Sequence, residues 1–395
     1  MVIRRLLPLF EQYAPERAAE LRTQMAAMAA DVPPGMQSGE NRFNRPFLTA
    51  LNEARLPLGH LLVFGWMPSP LKRLAYRWVL GYRIGKGVRF GLGGVVIGTS
   101  VELGDHVEIG MLAIVMGREI RIGRHSSVGT LSYLSCRVIE IGEDAKIREQ
   151  VYVGGPQLPE SRFSLGSRTI ILQMANINPT KPVVIGDDTG IGGHCLIFTH
   201  GAWLSNLEGY PVTYAPVTLG KSVWLPWRVF LMPGTTIGDG SVIGANSLVS
   251  GTIPPRSLAV GSPAKVIRSA PDFPRRLTDE DRAKLVAEML AEFDRFVADD
   301  QVIISDDGGS RVYTYRGRAW RLHWWRGGGP PPEAARGDTV LAERALPATV
   351  LADYQARGAS WLDLGTKTRC EDGSPLAEEL ALFLGRYGIR LRREG

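Results

Sequence analysis

Cysteine is scarce in this chain of 395 residues, which contains only Cys136, Cys195 and Cys370. The three are far apart and odd in number, so they form neither a disulfide framework nor a CxxC metal-binding pair. Such sparse cysteine usage is typical of a reducing compartment. We therefore expect a cytoplasmic protein.

Long apolar runs are also missing. The stretch 61–67 is apolar, but Pro57 and Pro68 bound it, and it is too short to span a bilayer. The segment after Met1 is interrupted by Pro8 and does not match a signal peptide. The sequence therefore predicts no integral membrane segment.

Neither sign of charge dominates. The chain has 46 Lys and Arg residues and 40 Asp and Glu residues, which gives a net charge of +6. No basic stripe interleaved with aromatic residues appears, which argues against a nucleic-acid partner. The mild positive charge is compatible with an anionic small ligand. With 44% hydrophobic and 22% charged residues, the composition is that of a folded globular protein.

What the chain does contain is a short repeat with an aliphatic residue at every sixth position. A period of six fits neither a helix nor an alternating strand, and it is typical of a solenoid of stacked turns. Each six-residue segment forms one edge of a triangular coil, whose apolar residue is buried only by stacking on the next coil. The clearest run is Leu219, Leu225, Leu231, Ile237, Ile243 and Val249.

The repeat starts near Ile84 and is interrupted at 156–182 and at 203–216. We interpret both interruptions as segments inserted into the coil. Inserted loops on a rigid scaffold often carry chemistry. The two lie on either side of the segment that contains His200.

The sequence predicts three domains. Residues 1–82 have helical apolar spacing and are expected to form an N-terminal helical cap on the first coil. Residues 83–270 form the β-helix. Residues 271–395 lose the period and are expected to form a small α/β accessory domain, because a helix N-cap at Thr278 is followed by strand-like runs. The overall class is mainly β.

Three motifs carry a resemblance to a known family. They are Pro233-Gly-Thr-Thr-Ile-Gly with its continuation to Val249, Ile253-Pro-Pro, and Val260-Gly-Ser-Pro-Ala-Lys-Val-Ile-Arg. This region resembles the hexapeptide-repeat acyltransferases, in particular the galactoside, maltose and antibiotic O-acetyltransferases and the acetyltransferases of polysaccharide assembly. The strong resemblance covers 185–268, a weaker one extends back to 84, and both ends of the chain lie outside it.

The resemblance implies a left-handed parallel β-helix that assembles as a homotrimer. It also implies acetyl-CoA or another acyl-CoA as co-substrate in the cleft between subunits, direct transfer with one histidine as general base, and no metal. His200, at the end of Cys195-Leu-Ile-Phe-Thr-His and before an inserted loop, stands where that histidine stands. Neutral imidazole suits removal of a proton near neutral pH.

The expected reaction is acyl transfer, most simply acetyl transfer, to a hydroxyl of a small sugar-like or natural-product acceptor, and an amine acceptor stays open. For the acceptor, the polar side chains of the two interruptions are the candidates. These are Asn176 and Asn178 in the first, and Glu208 and Tyr210 in the second.

The resemblance also implies a set of cofactor contacts: Trp224, Trp227, Ala245, Ser250, Lys265 and Arg268. Small residues let a pantetheine arm lie against the coil, and the two cations can meet CoA phosphates. Two residues depart from the family pattern. Trp227 is bulky where a small residue is usual, and Gly251 replaces a polar or basic residue.

Two other interpretations stay open. A non-catalytic trimeric scaffold would keep the solenoid without turnover. A zinc enzyme like the γ-class carbonic anhydrases would use histidines on stacked coils, here His106, His125 and His194, although the closely spaced pair of that family is missing. His194 is also a candidate for orienting His200.

Overall fold

The structure is a computed structural model, described here for residues 57–394. Most of the helical cap predicted over 1–82 therefore lies outside the described residues. The chain divides into two compact units, Met1–Pro274 and Arg275–Gly395. Within the described part no helix is long and apolar enough to cross a bilayer.

The first unit is a parallel β-helix whose coils each place one short strand on each of three faces. Face A has nine strands: Arg83–Ile84 (β1), Ser100–Leu103 (β4), Glu119–Ile122 (β7), Val138–Ile141 (β10), Arg162–Leu165 (β13), Val183–Ile185 (β16), Val217–Leu219 (β21), Thr236–Ile237 (β24) and Thr252–Ile253 (β27). Face B has ten strands: Arg89–Phe90 (β2), Glu108–Ile109 (β5), Ser127–Val128 (β8), Lys146–Ile147 (β11), Ile170–Ile171 (β14), Gly190–Ile191 (β17), Trp224–Leu225 (β22), Val242–Ile243 (β25), Leu258–Gly261 (β28) and Ala264–Arg268 (β29).

Face C completes the prism with eight strands: Val95–Ile97 (β3), Ile114–Met116 (β6), Tyr133–Ser135 (β9), Tyr152–Val153 (β12), Asn176–Asn178 (β15), Leu196–Phe198 (β18), Phe230–Leu231 (β23) and Leu248–Val249 (β26). All neighbouring strands on the three faces run parallel, except that β29 turns back antiparallel to β28. The expected mainly β, parallel β-helix fold is confirmed.

The six-residue period defines the inner wall of the prism. The aliphatic residues of the clearest run, from Leu219 to Val249, are each no more than 1% exposed. Strand register stacks them face by face, so that Leu231 lies between Ile197 and Val249 on face C. Burial of a leucine or isoleucine side chain contributes about 1.5–3 kcal/mol, so each stacked column contributes substantially to the stability of the coil.

The edges between faces A and B and between faces B and C are sharp because one residue in each of these turns adopts a left-handed backbone conformation. The edge between faces A and B includes His106 and His125 at φ of 57°. The edge between faces B and C includes His194 and Arg228 at φ of 57° and 59°. Non-glycine residues rarely adopt this conformation, and the stacked turns hold them in it.

The interruption predicted over 156–182 is wrong for most of its length. Residues from Arg162 onward return to the coil as β13, β14 and β15, which pair in register with strands on both sides. Only the short connection between β12 and β13, containing Pro156 and Pro159, departs from the path. Its extra residues shift the phase of the repeat, which made the following regular coil look irregular in the sequence.

A short helical segment packs against the first coil. It comprises Leu58–His60 (α1), a π-helical turn at Leu61–Gly65, and Ser69–Trp78 (α2). The basic residues of α2 donate hydrogen bonds to backbone oxygens of this coil, Lys72 to Gly94 at 2.9 Å and Arg77 to Ile84 at 3.0 Å. The helix therefore satisfies carbonyl groups that have no preceding coil to accept from.

The second unit, described by itself, is an α/β fold with one seven-stranded mixed sheet whose strands are hydrogen-bonded in chain order. Two hydrophobic clusters lie against this sheet. Its helices are Asp279–Asp299 (α3), Ala348–Arg357 (α4) and Pro375–Gly385 (α5). Its strands are Ile303–Asp307, Ser310–Tyr315, Arg318–Trp325, Thr339–Ala342, Ser360–Asp363, Thr368–Cys370 and Arg392–Glu394.

The buried Lys72 ammonium gives the first coil a testable pH dependence. Burial lowers the pKa of Lys72 from 10.5 to about 8. Because the folded-state pKa lies below the unfolded-state pKa, the free energy of unfolding should rise between pH 8 and pH 10.5, where only the unfolded chain keeps the proton. Denaturant unfolding at pH 7 and pH 9.5 should show this gain in the wild type and not in Lys72→Met. Lys86→Met, at an exposed lysine, should keep it; an equal gain in Lys72→Met contradicts the assignment.

Candidate functional site

His200 lies at the edge between faces C and A, directly after β18. The preceding residue, Thr199, is fully buried and fixes the turn. Its Oγ1 donates to the backbone oxygen of Asn178 at 2.7 Å and accepts from the backbone N–H of Lys181 at 3.0 Å. The turn that carries His200 is thereby bonded to the preceding coil.

The chain leaves the coil at His200 and returns to it as a hairpin. His200–Gly201 (β19) pairs antiparallel with Thr213–Tyr214 (β20), with His200 opposite Tyr214. The backbone N–H of Ala215 then donates to the oxygen of Thr199 at 3.0 Å, which closes the base of the hairpin. The loop between the two strands is exposed except at Val212, which is half-buried. The interruption predicted over 203–216 is therefore a projecting loop that begins immediately after the histidine.

The imidazole of His200 is partly desolvated. Its ring stacks on that of Tyr214, with centroids 5.7 Å apart and planes 14° from parallel. Its Nδ1 atom is buried and has no hydrogen-bond partner among the described residues. Desolvation lowers the pKa of His200 below its ordinary value of 6.5. The neutral imidazole is thus the form present at neutral pH, and it can accept a proton.

The two predicted tryptophan contacts lie in the coil that follows the hairpin. Trp224 is on the outer surface of β22, and Trp227 is at the edge between faces B and C; they are 37% and 44% exposed. The Trp227 ring packs over Gly193 of the preceding coil, where an added Cβ would lie 2.3 Å from Cζ3. It also lies 5.9 Å from the ring of His194, measured between centroids.

The other predicted cofactor residues lie further toward the last coils. Ala245 and Ser250 are exposed at the two edges of face C, and Asn246 donates from its backbone N–H to the Trp227 oxygen. Lys265 and Arg268 are exposed on β29 at the end of face B. All six candidates thus lie in coils C-terminal to His200. They occupy β22, the two edges of face C and β29.

The predicted acceptor residues separate into two groups. Asn176 and Asn178 are half-buried on β15, where they pair with Leu196 and Phe198 of the strand that leads to His200. They therefore lie in a regular strand, and their predicted placement in an inserted loop is wrong. Glu208 and Tyr210 lie in the hairpin loop and are exposed.

The remaining histidines occupy other edges. His106 and His125 stack on each other at the edge between faces A and B, with centroids 4.9 Å apart. His194 is at the edge between faces B and C. No group of three or more His, Cys, Asp or Glu side chains within residues 57–394 is placed to hold a metal ion.

Two residues of the site escaped the sequence analysis. Tyr214 covers His200, but its contact depends on the hairpin pairing, which has only a short Thr-Tyr strand as its signal. Gly193 makes room for the Trp227 ring. Glycine is common in coil turns for conformational reasons, so its presence in the sequence did not indicate this contact. Both contacts join segments separated by an insertion or a whole coil.

Removing the ring that covers His200 should change its titration. In Tyr214→Val, water gains access to the imidazole, and the pKa of His200 should rise toward 6.5. Histidine titration by NMR measures this directly. Tyr210→Val, in the same loop, should leave the pKa unchanged. An unchanged pKa in Tyr214→Val contradicts the stacking contact as the source of desolvation.

The close packing of Trp227 on Gly193 predicts a specific coupling. Gly193→Ala should lower the free energy of unfolding by about 1–3 kcal/mol, since the new methyl group overlaps the ring. In a Trp227→Ala background the same substitution should cost much less. Gly201→Ala is the matched control, because nothing lies within 4 Å of an added Cβ there. Equal costs in both backgrounds would show that the two residues do not touch.

The chain shares sequence similarity with proteins named as acetyltransferases. It is 37% identical over 126 residues to the galactoside O-acetyltransferase of Escherichia coli K12, covering 29% of this chain and 60% of that protein. A protein of Staphylococcus aureus Mu50 that is named as an acetyltransferase is 45% identical over 78 residues, covering 20% of this chain and 39% of that protein. The chain therefore matches well under half the length of the Staphylococcus relative.

One solved structure matches part of the chain. The hexapeptide-repeat acetyltransferase of Vibrio cholerae, in complex with acetyl-CoA, is 26% identical over 38% of this chain and 69% of that chain, with a TM-score of 0.27. No family model matches the chain. The resemblance of the β-helix sequence to acetyltransferases, a galactoside O-acetyltransferase among them, is confirmed by these curated relatives.

Proposed function

We propose that this protein is an acyl-CoA-dependent O-acyltransferase, most simply an acetyltransferase, with His200 as general base. The observation that carries the proposal is the state of His200. It is a neutral, partly desolvated imidazole, fixed at a prism edge where a projecting hairpin begins. The similarity to named acetyltransferases supports the reaction type.

In the proposed reaction, His200 takes the proton of an acceptor hydroxyl as its oxygen attacks the thioester carbonyl. The C–O bond forms, the C–S bond breaks, and the CoA thiolate is protonated as the imidazole returns to its neutral form. Holding both substrates against one edge supplies much of the rate, because a bimolecular step becomes effectively intramolecular. A positioned base typically contributes a further factor of about 10²–10⁴.

The proposed donor site lies in the coils C-terminal to His200. The exposed faces of Trp224 and Trp227, with the small residues Ala245 and Ser250, fit the pantetheine arm. Lys265 and Arg268 on β29 fit the phosphates, because cations at an exposed strand form charge-assisted hydrogen bonds with phosphate oxygens. We propose that a neighbouring copy in a homotrimer closes this surface into a cleft. Asn178 and the hairpin residues Glu208 and Tyr210 are the proposed acceptor contacts.

Release of CoA thiol tests the function. Purified protein is incubated with acetyl-CoA and a panel of monosaccharide and oligosaccharide acceptors, and free thiol is measured with time. His200→Ala should lose activity by about 10²-fold or more, without a change in native mass or thermal melting. His125→Asn, at an edge on the other side of the prism, should keep full activity.

Each negative result has its own meaning. Unchanged turnover in His200→Ala would remove the general-base assignment while leaving the acyltransferase intact. No thiol release by the wild type with any acceptor, together with no acetyl-CoA binding by calorimetry, would favour a non-catalytic scaffold.

A further inference from the structure

A row of aromatic and amide side chains lies on the outer surface of face C, N-terminal to His200. The strand register places Tyr133 beside Tyr152, and Tyr152 beside Asn176. Asn176 in turn pairs with Leu196 of β18, the strand that ends next to His200. We call Tyr133, Tyr152, Asn176 and Asn178 the face C strip. All four side chains are half-buried, so each is still partly open to solvent.

The two tyrosines form one aromatic surface. Their rings are stacked, with centroids 5.5 Å apart and planes 12° from parallel. The tip of the Tyr152 ring lies over Gly154, where an added Cβ would be 2.8 Å from the phenol oxygen. Any larger residue at this position would lift the ring off the surface. The glycine therefore lets the tyrosine lie along the strand.

The amide of Asn178 is held in a fixed orientation at the end of the strip that is next to His200. Its Oδ1 accepts from the Thr180 hydroxyl at 2.7 Å and from the Thr180 backbone N–H at 3.2 Å. The side chain packs over Gly155, where an added Cβ would be 2.5 Å from Oδ1. With the oxygen engaged, the Nδ2 group is the part of the amide that remains to donate to a ligand.

The face C strip and the proposed acyl-CoA site lie on opposite sides of His200 along the β-helix. The residues proposed for the acyl-CoA all lie in coils after His200, and the strip lies in the coils before it. An acceptor that delivers a hydroxyl to His200 must approach from the side that the donor does not fill. Since neighbouring strands are about 4.8 Å apart, the strip extends about 14 Å from the His200 coil to the Tyr133 coil, which is room for several sugar rings.

We propose that the face C strip binds the non-reacting units of a glycan chain, so that the acceptor is an oligosaccharide or polysaccharide and not a free monosaccharide. This inference rests on the proposed function. Partly exposed aromatic rings offer an apolar surface for sugar C–H groups, and the oriented amide of Asn178 offers a hydrogen bond to a hydroxyl. The four residues of the strip carry no charge, which fits a ligand rich in hydroxyl groups.

The test compares short and long acceptors. For the wild type, KM should be about five- to tenfold lower for maltotetraose or β-1,4-galactotetraose than for the matching methyl glycoside, since one well-placed aromatic contact contributes up to about a factor of ten. Tyr133→Leu and Tyr152→Leu should raise KM for the tetrasaccharide toward that of the monosaccharide. The kcat for the monosaccharide should not change.

A matched control and a second readout keep the result decisive. Tyr315→Leu, at a half-buried tyrosine of the second unit, should change neither KM value. Calorimetric binding of each tetrasaccharide to the wild type and to the two strip variants tests the strip without turnover. If the wild type binds the tetrasaccharide and the variants do not, the strip is supported even when no thiol is released. The lack of thiol release would then count only against the acyltransferase activity.

Three outcomes would contradict the proposal that the face C strip binds a glycan. One is equal KM values for short and long acceptors in the wild type. Another is no effect of either tyrosine substitution on tetrasaccharide binding. The third is a change of native mass in the variants, which would make the strip a contact between copies of the chain.

Discussion

The structure of the first unit depends on one repeated interaction, the stacking of an inward aliphatic side chain on its equivalent in the next coil. No single coil can bury its own apolar residues, because a flat triangle of backbone has no interior until another triangle covers it. Leu231, between Ile197 and Val249, is one link in such a column. The outward positions are consequently not needed for this aliphatic stacking. The tryptophans, asparagines and tyrosines of the proposed sites all occupy such positions or the edges between faces.

The difference between inward core residues and outward site residues explains how much could be predicted from the sequence. The inward residues recur at a spacing set by covalent geometry, so the periodic positions identified the β-helix and its core directly. The first interruption was predicted wrongly because a six-residue repeat is recognised only while its aliphatic residues stay in step with those before them. A few extra residues near Pro156 displace the phase, and the regular strands β13 to β15 that follow then look like a loop.

The site was less predictable for a related reason. His200 could be selected because a histidine before an inserted segment has both a motif and a chemical rationale. Tyr214, which shields that histidine, and Gly193, which receives the Trp227 ring, act through contacts made only after the coils are stacked. A single chain gives no pattern for a contact between an outward residue and a residue one coil away. The boundaries of the three predicted domains stay predictions, and residues 1–56 lie outside the described part.

The hydrogen bonds from α2 to the first coil affect whether copies of the chain can associate end to end. A stack of parallel strands that ends in bare carbonyl and amide groups is a template on which another chain can continue the sheet. Here the first coil already gives carbonyl oxygens to Lys72 and Arg77, and at the opposite end β29 reverses direction beside β28. Filament growth from the first coil would have to break those bonds, and the reversal blocks a parallel continuation of face B. Both features oppose extension of a scaffold whose geometry favours it.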